Sequence, residues 1–118
     1  RGSWQTSLVT LKHPELFAYV GVFSGFVGSF GVMQSDNDHL KTLDDAEAFR
    51  SQFQLFFRAN GDRDFVAQER FEADSALFSE KGLSPQDCPV HVEKIYPGEH
   101  EWNVWRMCLR DFASRLFR

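Results

Sequence analysis

Three short apolar runs, each closed by turn-forming residues, constrain the fold of this chain more than any other feature. They are Phe17-Ala18-Tyr19-Val20-Gly21-Val22-Phe23 ahead of Ser24-Gly25, Phe53 to Ala59 ahead of Asn60-Gly61, and Val90 to Tyr96 ahead of Pro97-Gly98. Runs that are apolar at consecutive positions suit strands buried on both faces, as in parallel sheets. Helical patterns separate them. Trp4 to Lys12 sets Trp4, Leu8 and Leu11 on one face and stops at His13-Pro14, because proline disfavours helical geometry in the residue before it. Leu43 to Ser51 reads as a short helix with Asp44 and Asp45 at its positive end. Val66 to Lys81 reads as a helix ended by Gly82. The last helix, Glu101 to Phe117, carries Trp102, Trp105, Leu109, Phe112 and Leu116 as one apolar stripe, with Arg110, Arg115 and Arg118 toward its negative end. Residues 26–42, rich in Gly, Ser, Asp and Asn, read as a long surface excursion. Helices and strands alternate throughout, which predicts an α/β fold in which a parallel sheet is covered by helices.

Composition narrows the function classes. A length of 118 residues allows one domain. The 13 phenylalanines argue for a thickly covered sheet rather than a disordered chain. A net charge of −4 without a Lys/Arg cluster gives no footprint for nucleic acid. No stretch approaches the roughly 18 apolar residues of a membrane span. Cys88 and Cys108 lie in no CxxC pair and read as free buried thiols. The compartment stays open, since a chain that begins inside an element cannot display a signal peptide. Asp36-Asn37-Asp38 and Asn60-x-Asp62-x-Asp64 resemble calcium loops only superficially. Both lack the glycine at position six.

Chemistry concentrates in two loops that follow consecutive predicted strands: Asn60-Gly61-Asp62-Arg63-Asp64 and Pro97-Gly98-Glu99-His100. Ligands of open α/β sheets bind at the carboxyl ends of the strands. An aspartate followed by a histidine at that edge matches the later part of the Ser…Asp…His order of α/β-hydrolases. The imidazole takes the nucleophile's proton, and the carboxylate fixes the tautomer and steadies the imidazolium. His13, His39 and His91 read as structural or solvent-facing.

Five segments carry a family resemblance. Gln5-Thr6, His13-Pro14-Glu15-Leu16-Phe17, Gly21-Val22-Phe23-Ser24-Gly25, Gly61-Asp62-Arg63-Asp64-Phe65 and His100-Glu101-Trp102-Asn103-Val104-Trp105-Arg106 run in order over nearly the whole chain. Together they resemble the esterase group of α/β-hydrolases that includes esterase D, feruloyl and acetylxylan esterases and enterobactin esterase. The last segment is most similar to feruloyl-esterase-like members. The resemblance implies that residues 1–118 are the C-terminal portion of one α/β-hydrolase domain, with the earlier strands and the nucleophile elbow missing. It makes His100 the catalytic base and Asp64, at the last position of G-x-x-D, the acid. As Asp is a favoured N-cap, Asp64 also reads as the cap of the following helix, which leaves Asp62 as the rival acid.

In that family the serine sits in G-x-S-x-G. Gln5-Thr6 set the register, so Gly2 takes the final glycine and the serine falls immediately before Arg1. The backbone N–H of Arg1 is then an oxyanion donor, and Ser3 is out of register for the nucleophile. The expected activity is hydrolysis of a carboxylic ester through a serine acyl-enzyme, with no cofactor and no metal. Feruloyl or acetyl esters of plant polysaccharide are the expected substrates, and a siderophore ester is the alternative. A truncated, non-catalytic relative serving in binding or assembly is the reading from a different class. Trp102 is read as core or pocket wall, and Phe26 to Met33 as a candidate wall of the acyl pocket. The first strand is left with an unpaired edge, which implies either pairing with an N-terminal portion of the same domain or self-association. The 118 residues alone are expected to be inactive.

Overall fold

The apolar runs and helical patterns become four α-helices and three strands in the structure, a computed structural model that describes residues 2–25, 27–28 and 38–116. Helix α1 (Gly2–Lys12) is followed by a 3-10 turn at Pro14–Leu16 and strand β1 (Tyr19–Phe23). A 3-10 helix at Asp38–Asp44 leads into α2 (Ala46–Gln52), then β2 (Leu55–Gly61), α3 (Gln68–Glu80), β3 (His91–Tyr96) and α4 (Trp102–Ser114). The strands form one parallel sheet in the order β1-β2-β3. The chain is therefore α/β, with Val20 opposite Phe56 and Phe56 opposite His91.

Local chemistry sets the boundaries. The Asp45 carboxylate accepts the Ala48 N–H at 3.0 Å, so α2 begins after Asp45 rather than at Leu43. The excursion expected over 26–42 is corrected at its far end. Residues Asp38–Asp44 are helical because His39 and Leu43 are buried there. Phe53 is the C-cap of α2, not the start of β2. Gly82 ends α3 at φ +75°, the left-handed conformation that favours glycine.

β2 is buried at every position and separates two apolar layers. On the first face, Val20, Val22 and Phe56 pack with Leu11 of α1, Phe49 of α2 and Phe78 of α3. The rings of Phe49, Phe53, Phe56 and Phe78 meet there, Phe49 and Phe53 at 4.7 Å between centroids. On the second face, Leu55, Phe57 and Ala59 pack against Val104 and Cys108 of α4. The stripe expected on α4 holds in part: Trp105, Phe112 and Leu116 pack against this layer beside Val104 and Cys108, while Trp102 and Leu109 are 72% and 58% exposed. Side chains four apart along α4 carry the contact, and the outlying tryptophan lies at the helix's first turn.

A polar layer runs through the first face. Arg58 is 1% exposed, sits over the Phe71 ring at 4.4 Å, and donates to Glu93 at 2.9 Å and to the Phe71 carbonyl at 2.8 Å. Asp74 accepts the N–H groups of Val27 and Gly28 at 2.6 and 2.9 Å, and His39 Nε2 donates to the Val27 carbonyl at 2.8 Å. These bonds pin the chain as it leaves β1. Among the described residues, β1 is paired on one side only, and no helix is long and apolar enough to cross a membrane.

Candidate active site

The parallel order brings the loops after β2 and β3 to one edge, where backbone hydrogen bonds lace them together. The Asp62 N–H donates to the Tyr96 carbonyl at 2.7 Å and the Arg63 N–H to the Gly98 carbonyl at 2.8 Å. In return, the Gly98 N–H donates to Asp62 Oδ1 at 2.9 Å. Both glycines are required by this closeness. A Cβ on Gly61 would stand 2.5 Å from the Gly98 carbonyl oxygen. Gly98 has φ +142°, and its Cβ would stand 2.4 Å from Val104 Cγ2.

The lacing delivers His100 to Asp64. His100 Nδ1 lies 3.0 Å from Asp64 Oδ2 and 3.1 Å from Oδ1. Asp64 is fully buried, whereas the His100 side chain is 36% exposed. Asp64 Oδ1 also accepts the Ala67 N–H at 3.1 Å, and its main-chain carbonyl accepts the Gln68 N–H at 2.8 Å. Asp64 therefore ties down the turn that leads into α3 and holds the imidazole; the N-cap of α3 is Ala67, without a side-chain cap bond, so the capping reading of Asp64 is corrected. A carboxylate can only accept, so Nδ1 carries the proton and the Nε2 lone pair is left for a substrate or nucleophile. The Trp105 ring meets His100 edge-on, 5.1 Å between centroids at 86°, and limits its rotation. Among the described residues, no hydroxyl or thiol is hydrogen-bonded to His100 Nε2.

The other candidates divide. Asp62 is exposed and braces the turn that carries His100 instead of touching the ring. Trp102 is 72% exposed at the head of α4, which corrects its reading as a core residue. Arg1 lies outside the described residues. So does the stretch from Phe26 to Met33 except for Val27 and Gly28, and Val27 belongs to the apolar core. Cys88 and Cys108 are free and buried, and burial pushes the Cys108 thiol up to about 12. His13 pairs with Glu15 near the surface, while His39 and His91 are buried structural groups. No group of three or more His, Cys, Asp or Glu side chains among the described residues is placed to hold a metal.

Sequence reasoning missed two features of this edge. Phe65 and Val66, directly after Asp64, are 79% and 73% exposed. The brace from Asp62 to Gly98 spans 36 residues, and the only local sign of it is a glycine in each turn. Comparison with protein-family models and with curated proteins finds no match for this chain.

Proposed function

We propose that this chain is the C-terminal portion of a serine carboxylesterase of the α/β-hydrolase type, with His100 as general base and Asp64 as its orienting acid. The observation that carries the reading is the contact of a fully buried carboxylate with Nδ1 of a partly exposed histidine, 3.0 Å, at the carboxyl edge of a parallel sheet. In this reading Nε2 takes the proton of a serine hydroxyl as the oxygen attacks the ester carbonyl. The imidazolium then returns that proton to the leaving alkoxide. Asp64 keeps Nδ1 protonated and offsets the positive charge that forms.

The serine belongs directly ahead of Arg1, and the Arg1 N–H serves the oxyanion. The direction of α1 supports this assignment. The helix packs on β1 and is joined to it through the short Pro14–Leu16 turn, so it runs back along the strand. Its N-terminal end accordingly lies toward the edge of the two loops. Feruloyl and acetyl esters are the proposed substrates, and an N-terminal strand of the same domain is the proposed partner for the open edge of β1. The test is hydrolysis of aryl acetates and feruloyl esters by the protein that includes the residues ahead of Arg1. Turnover abolished by His100→Ala is expected; turnover indifferent to that substitution, or none on any ester, sinks the reading.

A second reading rests on the absence of a nucleophile beside Nε2 among the described residues: a non-catalytic relative that uses the same edge for binding or assembly. The residue encoded before Arg1 separates the two readings. A serine there favours hydrolysis.

A further inference from the structure

The three most exposed large apolar side chains among the described residues are Phe65, Val66 and Trp102, at 79%, 73% and 72%. All three stand within two residues of the Asp64–His100 pair. Single apolar residues scattered over a surface are ordinary, but a group that rims one site marks a place where something apolar is bound.

The backbone fixes this display. Phe65 and Val66 lie between Asp64, fully buried, and Ala67, 3% exposed. The Phe65 N–H donates to the Arg63 carbonyl at 3.0 Å and the Ala67 N–H to Asp64 Oδ1 at 3.1 Å, while the Gln68 N–H donates to the Asp64 carbonyl at 2.8 Å. With both ends of the turn held, its two apolar side chains cannot be drawn into the core without breaking bonds that steady the carboxylate beside His100. The turn leads into α3, which packs on the first face of the sheet, while Trp102 opens α4 on the second. The apolar rim therefore stands on both sides of the sheet edge, with His100 between.

We infer that this rim binds the leaving alcohol of the ester, and that Phe65 and Val66 set a preference for an alcohol with an apolar body. The inference rests on the ester-hydrolase reading above. In that reaction the bond between the carbonyl carbon and the alcohol oxygen breaks as Nε2–H delivers its proton to that oxygen. The alcohol is thus the part of the ester brought against the imidazole, and its carbons extend over the residues that flank His100. The acyl group stays on the serine ahead of α1, on the β1 side of the edge.

The test measures kcat/KM along two ester series, in the protein that includes the residues ahead of Arg1. In the first series the acyl group is acetyl and the straight-chain alcohol lengthens from ethanol to hexanol. In the second the alcohol is ethanol and the acyl group lengthens from acetyl to hexanoyl. Straight-chain alcohols leave with nearly equal ease, so the first series reports contact with the alcohol. There kcat/KM should rise about twofold for each methylene, because a rim covers only one side of the chain. Phe65→Ser and Val66→Ser should each flatten that rise and leave the slope of the acyl series as it was. Both positions are exposed, so the variants are expected to fold, and unchanged urea midpoints check this. A flat alcohol series in the parent, an alcohol slope that survives both substitutions, or an acyl slope that falls with them would overturn the inference while leaving the ester-hydrolase reading in place. No turnover on any ester removes that reading and this inference with it. A dimeric parent beside a monomeric Phe65→Ser, with the alcohol slope intact, would assign the rim to self-association instead.

Discussion

Gly98 donates its N–H to Asp62 at 2.9 Å while His100, two residues on, meets Asp64 at 3.0 Å. Two aspartates of one loop thus hold the neighbouring loop at two points, one on its backbone and one on its imidazole. The division of labour predicts different mutant behaviour. In protein that carries the serine, Asp64→Asn should lower kcat by about 10⁴, because an amide no longer holds the reactive tautomer. Asp62→Ala, which removes the acceptor, should cost less than about tenfold and about 1 kcal/mol of stability, the scale of one part-buried hydrogen bond. Steady-state kinetics and urea denaturation of both variants check this, and the reverse ranking would make Asp62 the acid.

Gly98→Ala tests the turn itself. At φ +142°, with Val104 Cγ2 2.4 Å from the added Cβ, alanine meets both backbone strain and a buried neighbour. A loss of about 2 kcal/mol or more is expected in urea denaturation. Because α4 contributes Val104, the change should also loosen the head of that helix, seen as faster amide exchange at residues 102–105.

The strands were legible because they are apolar at nearly every position, which only a doubly covered sheet rewards. Their exact ends were not. Phe53 continues the apolar run of β2 in sequence, yet its N–H closes α2 on the Phe49 carbonyl at 3.0 Å. The stripe of α4 was legible at Trp105, Phe112 and Leu116 but not at its first turn, because tryptophan outweighs valine and cysteine in any apolar count. In the fold the smaller Val104 and Cys108 fit against the sheet, and Trp102 is left outside. His100 and Asp64 were legible from their loops. The brace from Asp62 to Gly98 was not, since it depends on where two strands end relative to each other. Nor was the Arg58 layer, because an arginine inside an apolar run gives no sign of what surrounds it.

That layer has its own consequence. Arg58 lies over Phe71, donates to Glu93 at 2.9 Å, and faces the buried Asp74 carboxylate, which pulls against the lowering of the guanidinium's proton affinity by burial. Arg58→Ala strands both acids and should cost about 3–5 kcal/mol. Arg58→Lys should recover only part of this, because an ammonium cannot reach Glu93 and the Phe71 carbonyl with the same flat geometry. Chemical denaturation of the two variants at neutral pH measures the difference. Equal stability of Arg58→Ala and the parent would show that the pair contributes nothing.

His91 sets the expected pH dependence of stability. Its ring is buried against Phe78, 4.4 Å between centroids, and its Nδ1 is 2.7 Å from the Leu83 carbonyl. Burial, and then the neighbouring Arg58 charge, lower its pKa from 6.5 to about 4. The folded state therefore binds fewer protons than the unfolded state between those two values. The stabilisation is complete above pH 6.5 and is lost as pH falls toward 4, by roughly 3 kcal/mol at most. Asp74 works the other way, because burial raises its carboxyl above the ordinary 3.8 and the folded state binds more protons there. Subtracting the stability of His91→Gln from that of the parent at each pH removes Asp74 from the comparison. The glutamine amide can still donate toward the Leu83 carbonyl, so the variant is expected to fold. The difference should shrink as pH falls from 6.5 to 4, read by urea denaturation at half-unit steps. A difference that is flat across that window would mean that His91 is protonated in the fold and that Glu93, 3.6 Å from Nε2, holds the charge.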